Sequence, residues 1–131
     1  LAGRAGVHAV TDVTGFGLLG HALEMARGAQ ATVQITADAA PLLAGVETLL
    51  AQGVRTGASG RNWASYGEAV EGLEAGPTRD LLTDPQTSGG LLIACAAEAA
   101  DALLDSARAE GFDRAAVVGR VVAGPARVRV A

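Results

Sequence analysis

Thr11-Asp12-Val13-Thr14-Gly15-Phe16-Gly17-Leu18-Leu19-Gly20 is where one periodicity gives way to another. Upstream, His8 to Val13 is mostly β-prone and ends near the polar pair Thr11-Asp12, so it is predicted to be a strand. Downstream, Leu18, Leu19, Ala22, Leu23, Met25 and Ala26 recur at helical spacing. They predict a helix over Gly15 to Arg27, with Gly28 as its stop. A strand that passes through a glycine-bearing turn into a helix opens an α/β unit.

The rest of the chain continues that order. Ala31 to Thr36 alternates, with Ala31, Val33 and Ile35 on one face and Thr32, Gln34 and Thr36 on the other, which predicts a strand with one wetter face. Pro41 to Gln52 is predicted as an amphipathic helix striped by Leu42, Val46 and Leu49, with Asp38 as candidate cap and Gly53 as terminator. Residues 53–78 hold Gly53, Gly57, Gly60, Gly67, Gly72, Gly76 and Pro77, so a long glycine-rich loop is expected, with at most a short helix around Glu68 to Leu73. Trp63 and Tyr66 would anchor it by burying large amphipathic rings; Arg61, Asn62 and Trp63 are alternative substrate-side contacts. Leu91 to Ala96 is continuously apolar, as in a strand buried on both faces, with Cys95 a small core side chain. Glu98 to Glu110 is predicted as a helix, and Ala116 to Val122 and Arg127 to Val130 as strands joined at Gly124-Pro125. The order β-α-β-α-(loop)-β-α-β-β predicts an α/β (α+β) fold, a mixed β-sheet with helices packed on one face.

Composition narrows the chemistry. With 131 residues, half of them hydrophobic and 18% charged, one ordered domain spanning residues 1–131 is expected. A net charge of −4 argues against a nucleic-acid groove. All ten basic residues are Arg, which excludes a Schiff base, a P-loop lysine or a lysine base within the chain. One cysteine and two histidines are too few for a structural zinc site, and Cys95 cannot form an internal disulfide. No apolar run reaches the roughly 20 residues of a membrane span and no signal-peptide pattern opens the chain, so a soluble cytoplasmic domain is expected. The start at Leu1 rather than Met suggests a piece of a longer protein.

Two turns carry candidate chemistry. The first contains a literal G-x-G-x-x-G in Gly15, Gly17 and Gly20, and Asp38 follows near the end of the next strand, as in a dinucleotide-binding fingerprint. That reading leaves Asp12 unexplained, because a carboxylate beside a bare pyrophosphate repels it. A divalent cation between the two would resolve the repulsion and make Asp12 a metal ligand; otherwise Asp12 caps the helix. Thr14, Gly15 and Gly17 would then face phosphate, or else serve tight strand-to-helix packing. The second turn is Thr83-Asp84-Pro85-Gln86-Thr87-Ser88-Gly89-Gly90, where Thr87, Ser88, Gly89 and Gly90 form either a phosphate-proximal loop or a turn that satisfies its own backbone. The two echo each other in Thr-Asp, Thr, Gly and Leu-Leu. His21 and His8 are read as packed or solvated side chains rather than ligands.

Taken together in order, HAVTDVTGFGLLGHALEMA, NWASYG and LLTDPQTSGGLLIA resemble the C-terminal domain of the selenide, water dikinase (selenophosphate synthetase) family, within the aminoimidazole ribonucleotide synthetase-like superfamily. The resemblance implies an enzyme that converts ATP, selenide and water to selenophosphate, AMP and phosphate with Mg2+. It implies a nucleotide held mainly by an N-terminal domain of the same enzyme, and a homodimer in the intact protein. Asp12 matches the family's C-terminal magnesium ligand. The reactive Cys or selenocysteine, its partner Lys and the other Asp ligands belong to the N-terminal domain, so no catalytic residue is expected here and the isolated chain should be inactive. The competing readings are an NAD-binding Rossmann-type domain and a non-catalytic interaction module.

Overall fold

The computed structural model describes residues 3–131. In chain order these form β1 (Val7–Asp12), α1 (Gly17–Ala29), β2 (Thr32–Ile35), α2 (Val46–Ala51), α3 (Gly57–Tyr66), β3 (Val70–Glu71), α4 (Pro77–Leu82), β4 (Leu91–Cys95), α5 (Ala100–Ala109), β5 (Gly119–Val122) and β6 (Arg127–Val130). None of these helices is long and apolar enough to cross a membrane.

Four strands make a mixed sheet in the order β3–β6–β2–β5. β2 runs parallel to β6 and antiparallel to β5, and β3 runs parallel to β6. Alternation along the strands sorts the side chains. Val33, Ile35, Val70, Val128 and Val130 are buried on the face under α1, while Gln34, Glu71, Arg120 and Arg129 line up in register across the other. Glu71 bonds both Arg127 and Arg129, and these two guanidinium groups hold its carboxyl below the usual range. α1 presents Leu19, Ala22, Leu23 and Ala26, spaced as one helical stripe and at most 1% exposed. Alanine at two of those positions lets the helix lie close to the strands. α3 and α4 pack on α1, bringing Tyr66 and Leu82 into the same core. The mixed sheet with helices on one face is thus as predicted.

The structure departs from expectation at β1 and β4. They pair antiparallel with one another, Asp12 opposite Leu91, as a two-stranded ladder separate from the larger sheet. Leu91–Cys95 is therefore not a central strand. Leu92 packs against the core, Leu91 is 57% exposed, and Cys95 is half-buried rather than a core side chain. Because β1 does not lie parallel beside β2, the crossover that a dinucleotide-binding unit requires is not formed. The NAD reading, which used the G-x-G-x-x-G and Asp38, falls with it.

Three smaller corrections follow from backbone chemistry. The Pro41–Gln52 helix shrinks to α2, because Gly45 sits at φ +86 and no helix passes through that conformation. Asp38 lies exposed in a 3-10 turn and caps nothing, whereas Gly53 does follow the helix end, its N–H donating to Leu50 O at 2.9 Å. Gly28 does not stop α1, which ends instead on a left-handed Gln30 whose side chain donates to Arg27 O at 2.7 Å. The 53–78 stretch is not a loop: it contains α3, β3 and the start of α4. Thr56 caps α3 by accepting from Ser59 N–H at 3.3 Å, and Pro77 occupies the first turn of α4, where its missing N–H is not needed.

Candidate functional site

The antiparallel ladder brings the two glycine turns side by side. Val13 N–H donates to Gly90 O at 2.9 Å and Gln86 N–H donates to Thr14 O at 3.0 Å. Gly89 lies so close that a Cβ there would meet Val13 O at 2.0 Å. Gly17, at φ +69, packs on the other end of the second turn, where a Cβ would fall 2.6 Å from the Thr83 carbonyl carbon. Gly20 leaves room for Phe16 and Tyr66, which a Cβ would approach to 2.4 and 3.0 Å. Three glycines thus serve close approach of backbone and rings. Gly15 and Gly90 differ: a Cβ on either would meet nothing within 4 Å.

α3 binds the pair of turns from the helix side. Asn62 donates from its amide nitrogen to Gly15 O and to Thr83 O, each at 2.9 Å. Tyr66 donates to Phe16 O at 2.6 Å, and burial pushes its phenol up to about 12 despite a backbone hydrogen bond at Gly20 that acts the other way. Asp84 accepts from Thr56 at 2.8 Å and from Ser59 at 3.1 Å, fastening the start of α3 to the second turn. Trp63 lies against Gly67 and under the Arg79 guanidinium, 4.9 Å from the ring centroid. Buried His21 completes the first turn: Nε2 accepts from Thr14 N–H at 3.0 Å, which places the proton on Nδ1, 3.4 Å from Thr11 Oγ1. His21 is a packed side chain, as expected, and it organises the turn.

What these ties leave over forms an exposed rim. Asp12 ends β1 with its carboxylate in solvent, and among the described residues it has no ion-pair or hydrogen-bond partner. It does not cap α1, whose N-cap is Phe16 and carries no side-chain capping bond. Thr87, Ser88, Gly89 and Gly90 are exposed beside it, and Thr14 and Gly15 are exposed across the first turn. Two open hollows of about 400 and 380 Å3 lie elsewhere, one beside Gly72 to Thr78 and one beside Gln34 to Thr36. The rim is a wall, not an enclosed pocket. Among the described residues no three His, Cys, Asp or Glu side chains gather into a metal cluster, so Asp12 could supply one ligand of a shared site and no more.

Residues 1–131 match the family model described as AIR synthase related protein, C-terminal domain. The chain belongs to that family. Among curated proteins it is 64% identical over 133 residues to selenide, water dikinase of Burkholderia orbicola, covering 100% of this chain and 38% of that protein. It is 56% identical to selenide, water dikinase of Pseudomonas straminea, covering 99% and 37%. The AIR synthase related domain thus spans about 38% of the length of such relatives. Among solved structures it is similar to thiamine-monophosphate kinase from Stenotrophomonas maltophilia, with TM-score 0.67, 22% identity, and coverage of 95% of this chain and 31% of that one. The hydrogenase maturation protein HypE gives TM-score 0.61, 20% identity, and coverage of 96% and 35%. These two likenesses establish the fold.

Within the AIR synthase related domain, sequence reasoning missed the parts played by Asp84, Ser59 and Asn62. Thr56 and Ser59, three apart before a helical stretch, were a legible cap. For Asn62 nothing local signalled two carbonyl partners 47 and 21 residues away.

Proposed function

We propose that this chain is the C-terminal part of a selenophosphate synthetase, an enzyme that turns ATP, selenide and water into selenophosphate, AMP and phosphate. In this reading Asp12 supplies one magnesium ligand and the rim supplies one wall of the nucleotide cleft. The carrying observation is the free carboxylate of Asp12 at the junction of two glycine turns. Identity of 64% to a selenide, water dikinase across the whole chain supports the reaction. Asp12 fits magnesium, which takes oxygen ligands, often only one or two carboxylates, and fills its remaining positions with water and phosphate oxygens. When bound, that ion would neutralise phosphate charge. The chain's own groups hold and orient. Gly15 and Gly90 leave their faces open for close approach, and Thr87 and Ser88 offer hydroxyls at the rim, while the Thr14 hydroxyl lies 3.2 Å from His21 Nε2. With no Lys in the chain and Cys95 half-buried on β4, the reactive groups belong to the remainder of the enzyme, which would also hold most of the nucleotide in the cytoplasm.

The test is Asp12→Asn in the full-length enzyme. The variant keeps shape and removes charge, so its melting temperature without nucleotide should stay within about 2 °C of wild type, as for a surface change of about 0.5 kcal/mol. Selenophosphate formation should fall at least about tenfold and recover in part at high magnesium. Near-normal turnover at low magnesium would return Asp12 to structure.

A further inference from the structure

We infer that Asn62 is a positioning residue for the nucleotide cleft: its amide sets the spacing of the two glycine turns and so aligns Asp12 with the Thr87–Gly90 loop. The inference rests on the reading of the rim as one wall of that cleft. Its geometry is on the side opposite the strand ladder. At the ladder, Val13 N–H on Gly90 O and Gln86 N–H on Thr14 O already fix the register of the two turns. At the helix side, Gly15 O and Thr83 O both point at one nitrogen, at 2.9 Å each. Two carbonyls can share only a donor, so the amide orientation is settled by chemistry, and both of its hydrogens are used.

The bond to Thr83 O is part-buried and contributes to stability, but the second bond, to Gly15 O, is not needed for it. The bond to Gly15 O is exposed, and water would satisfy that carbonyl if Asn62 were absent. α3 is held independently, by Thr56 and Ser59 on Asp84 at its start and by Tyr66 on Phe16 at its end. Removing the amide therefore leaves the helix in place and frees Gly15, three residues beyond Asp12, to move relative to Thr83. The consequence falls on the distance between the carboxylate and the hydroxyl loop, which is where a metal-bound polyphosphate would have to fit both.

The experiment is Asn62→Leu in the full-length enzyme, similar in shape and without donors. Three quantities are read: kcat, the magnesium concentration for half-maximal rate, and the equilibrium Kd for magnesium with a non-hydrolysable ATP analogue. The expected result is a roughly tenfold rise in half-activating magnesium and in Kd, equivalent to about 1.4 kcal/mol, with kcat at saturation within about threefold of wild type. Leu103→Ala, which empties a buried position on α5 far from the rim, is the control for lost stability: it should lower the melting temperature and leave the metal and nucleotide dependence unchanged. If Asn62→Leu behaves like Leu103→Ala, the positioning role is overturned. Should Asn62→Leu not fold, Asn62→Ser, with a single short donor, is read in the same assays and by the same criterion. A wild-type enzyme indifferent to magnesium would overturn the proposed function instead, a result visible before any variant is made.

Discussion

Replacing Gly89 by Ala tests whether the two turns are held at contact distance. A Cβ at Gly89 would stand 2.0 Å from Val13 O and 3.0 Å from its carbonyl carbon, where ordinary contacts lie at 3.4–4 Å. The turns must separate by more than about 1 Å to admit it. That movement weakens the Val13-to-Gly90 and Gln86-to-Thr14 hydrogen bonds, now 2.9 and 3.0 Å. Each contributes about 0.5–1.5 kcal/mol net, and overpacking adds about 1–3 kcal/mol of strain. A loss of about 2–6 kcal/mol is expected. Gly90→Ala is the internal control, since its Cβ meets nothing within 4 Å and the backbone is not left-handed; it should stay within about 0.5 kcal/mol of wild type. Urea unfolding of the full-length enzyme gives the size of the effect, and amide exchange along α1 shows that it arises in this domain. Equal stabilities for Gly89→Ala and Gly90→Ala would refute the close approach.

Two further expectations concern the groups that tie the turns. Tyr66 has a folded pKa of about 12 against 10.0 unfolded, so its contribution is complete below about pH 10 and is lost as pH rises towards 12. Tyr66→Phe should cost about 1 kcal/mol at neutral pH, through the bond to Phe16 O, and should flatten the alkaline limb of a urea-midpoint profile; an unchanged slope would sink the assignment. His21→Phe keeps a ring but leaves Thr14 N–H without its acceptor, at a cost of about 1–3 kcal/mol. Amide exchange at Thr14 should accelerate, and protection equal to wild type would show that His21 does not hold the turn.

Where local chemistry decided the structure, the sequence was readable. The alternation Arg127-Val128-Arg129-Val130 gives β6 its buried and wet faces, and the Leu19-Ala22-Leu23-Ala26 stripe gives α1 its core face. Where distant partners decided it, the reading failed. The apolar Leu91–Cys95 run fits a strand buried on both sides, but its pairing with β1 alone is a topological fact that no window of sequence contains. The glycines of 53–78 suggested a loop because glycine raises the entropy lost on folding. Long-range bonds from Ser59, Asn62 and Tyr66 offset that loss, and none of them is visible in spacing. The site divided in the same way. That both turns matter could be seen from their Thr-Asp and glycine content, but which glycines pack and which stand open required the three-dimensional neighbours.

The two Thr-Asp pairs show why the distinction bears on function. Thr11-Asp12 and Thr83-Asp84 look alike in sequence and sit in adjacent turns, yet their carboxylates have opposite surroundings. Asp84 spends one oxygen on Thr56 and Ser59, and without it the start of α3 would lose its attachment to the second turn. The fold therefore explains why an acid stands at position 84. Asp12 is exposed, bonds to no described residue, caps no helix and pairs with no arginine, so folding would proceed as well with Asn in its place. In the proposed reading, a carboxylate that the architecture does not use, set where the backbone faces of Gly15 and Gly90 are open and the Thr87 and Ser88 hydroxyls are unengaged, answers to something that binds from outside the chain. Under that proposal a cation shared with an anionic ligand would satisfy all of those groups at once, whereas an anion alone would be repelled by Asp12 and a bare cation would leave the hydroxyl loop without a role.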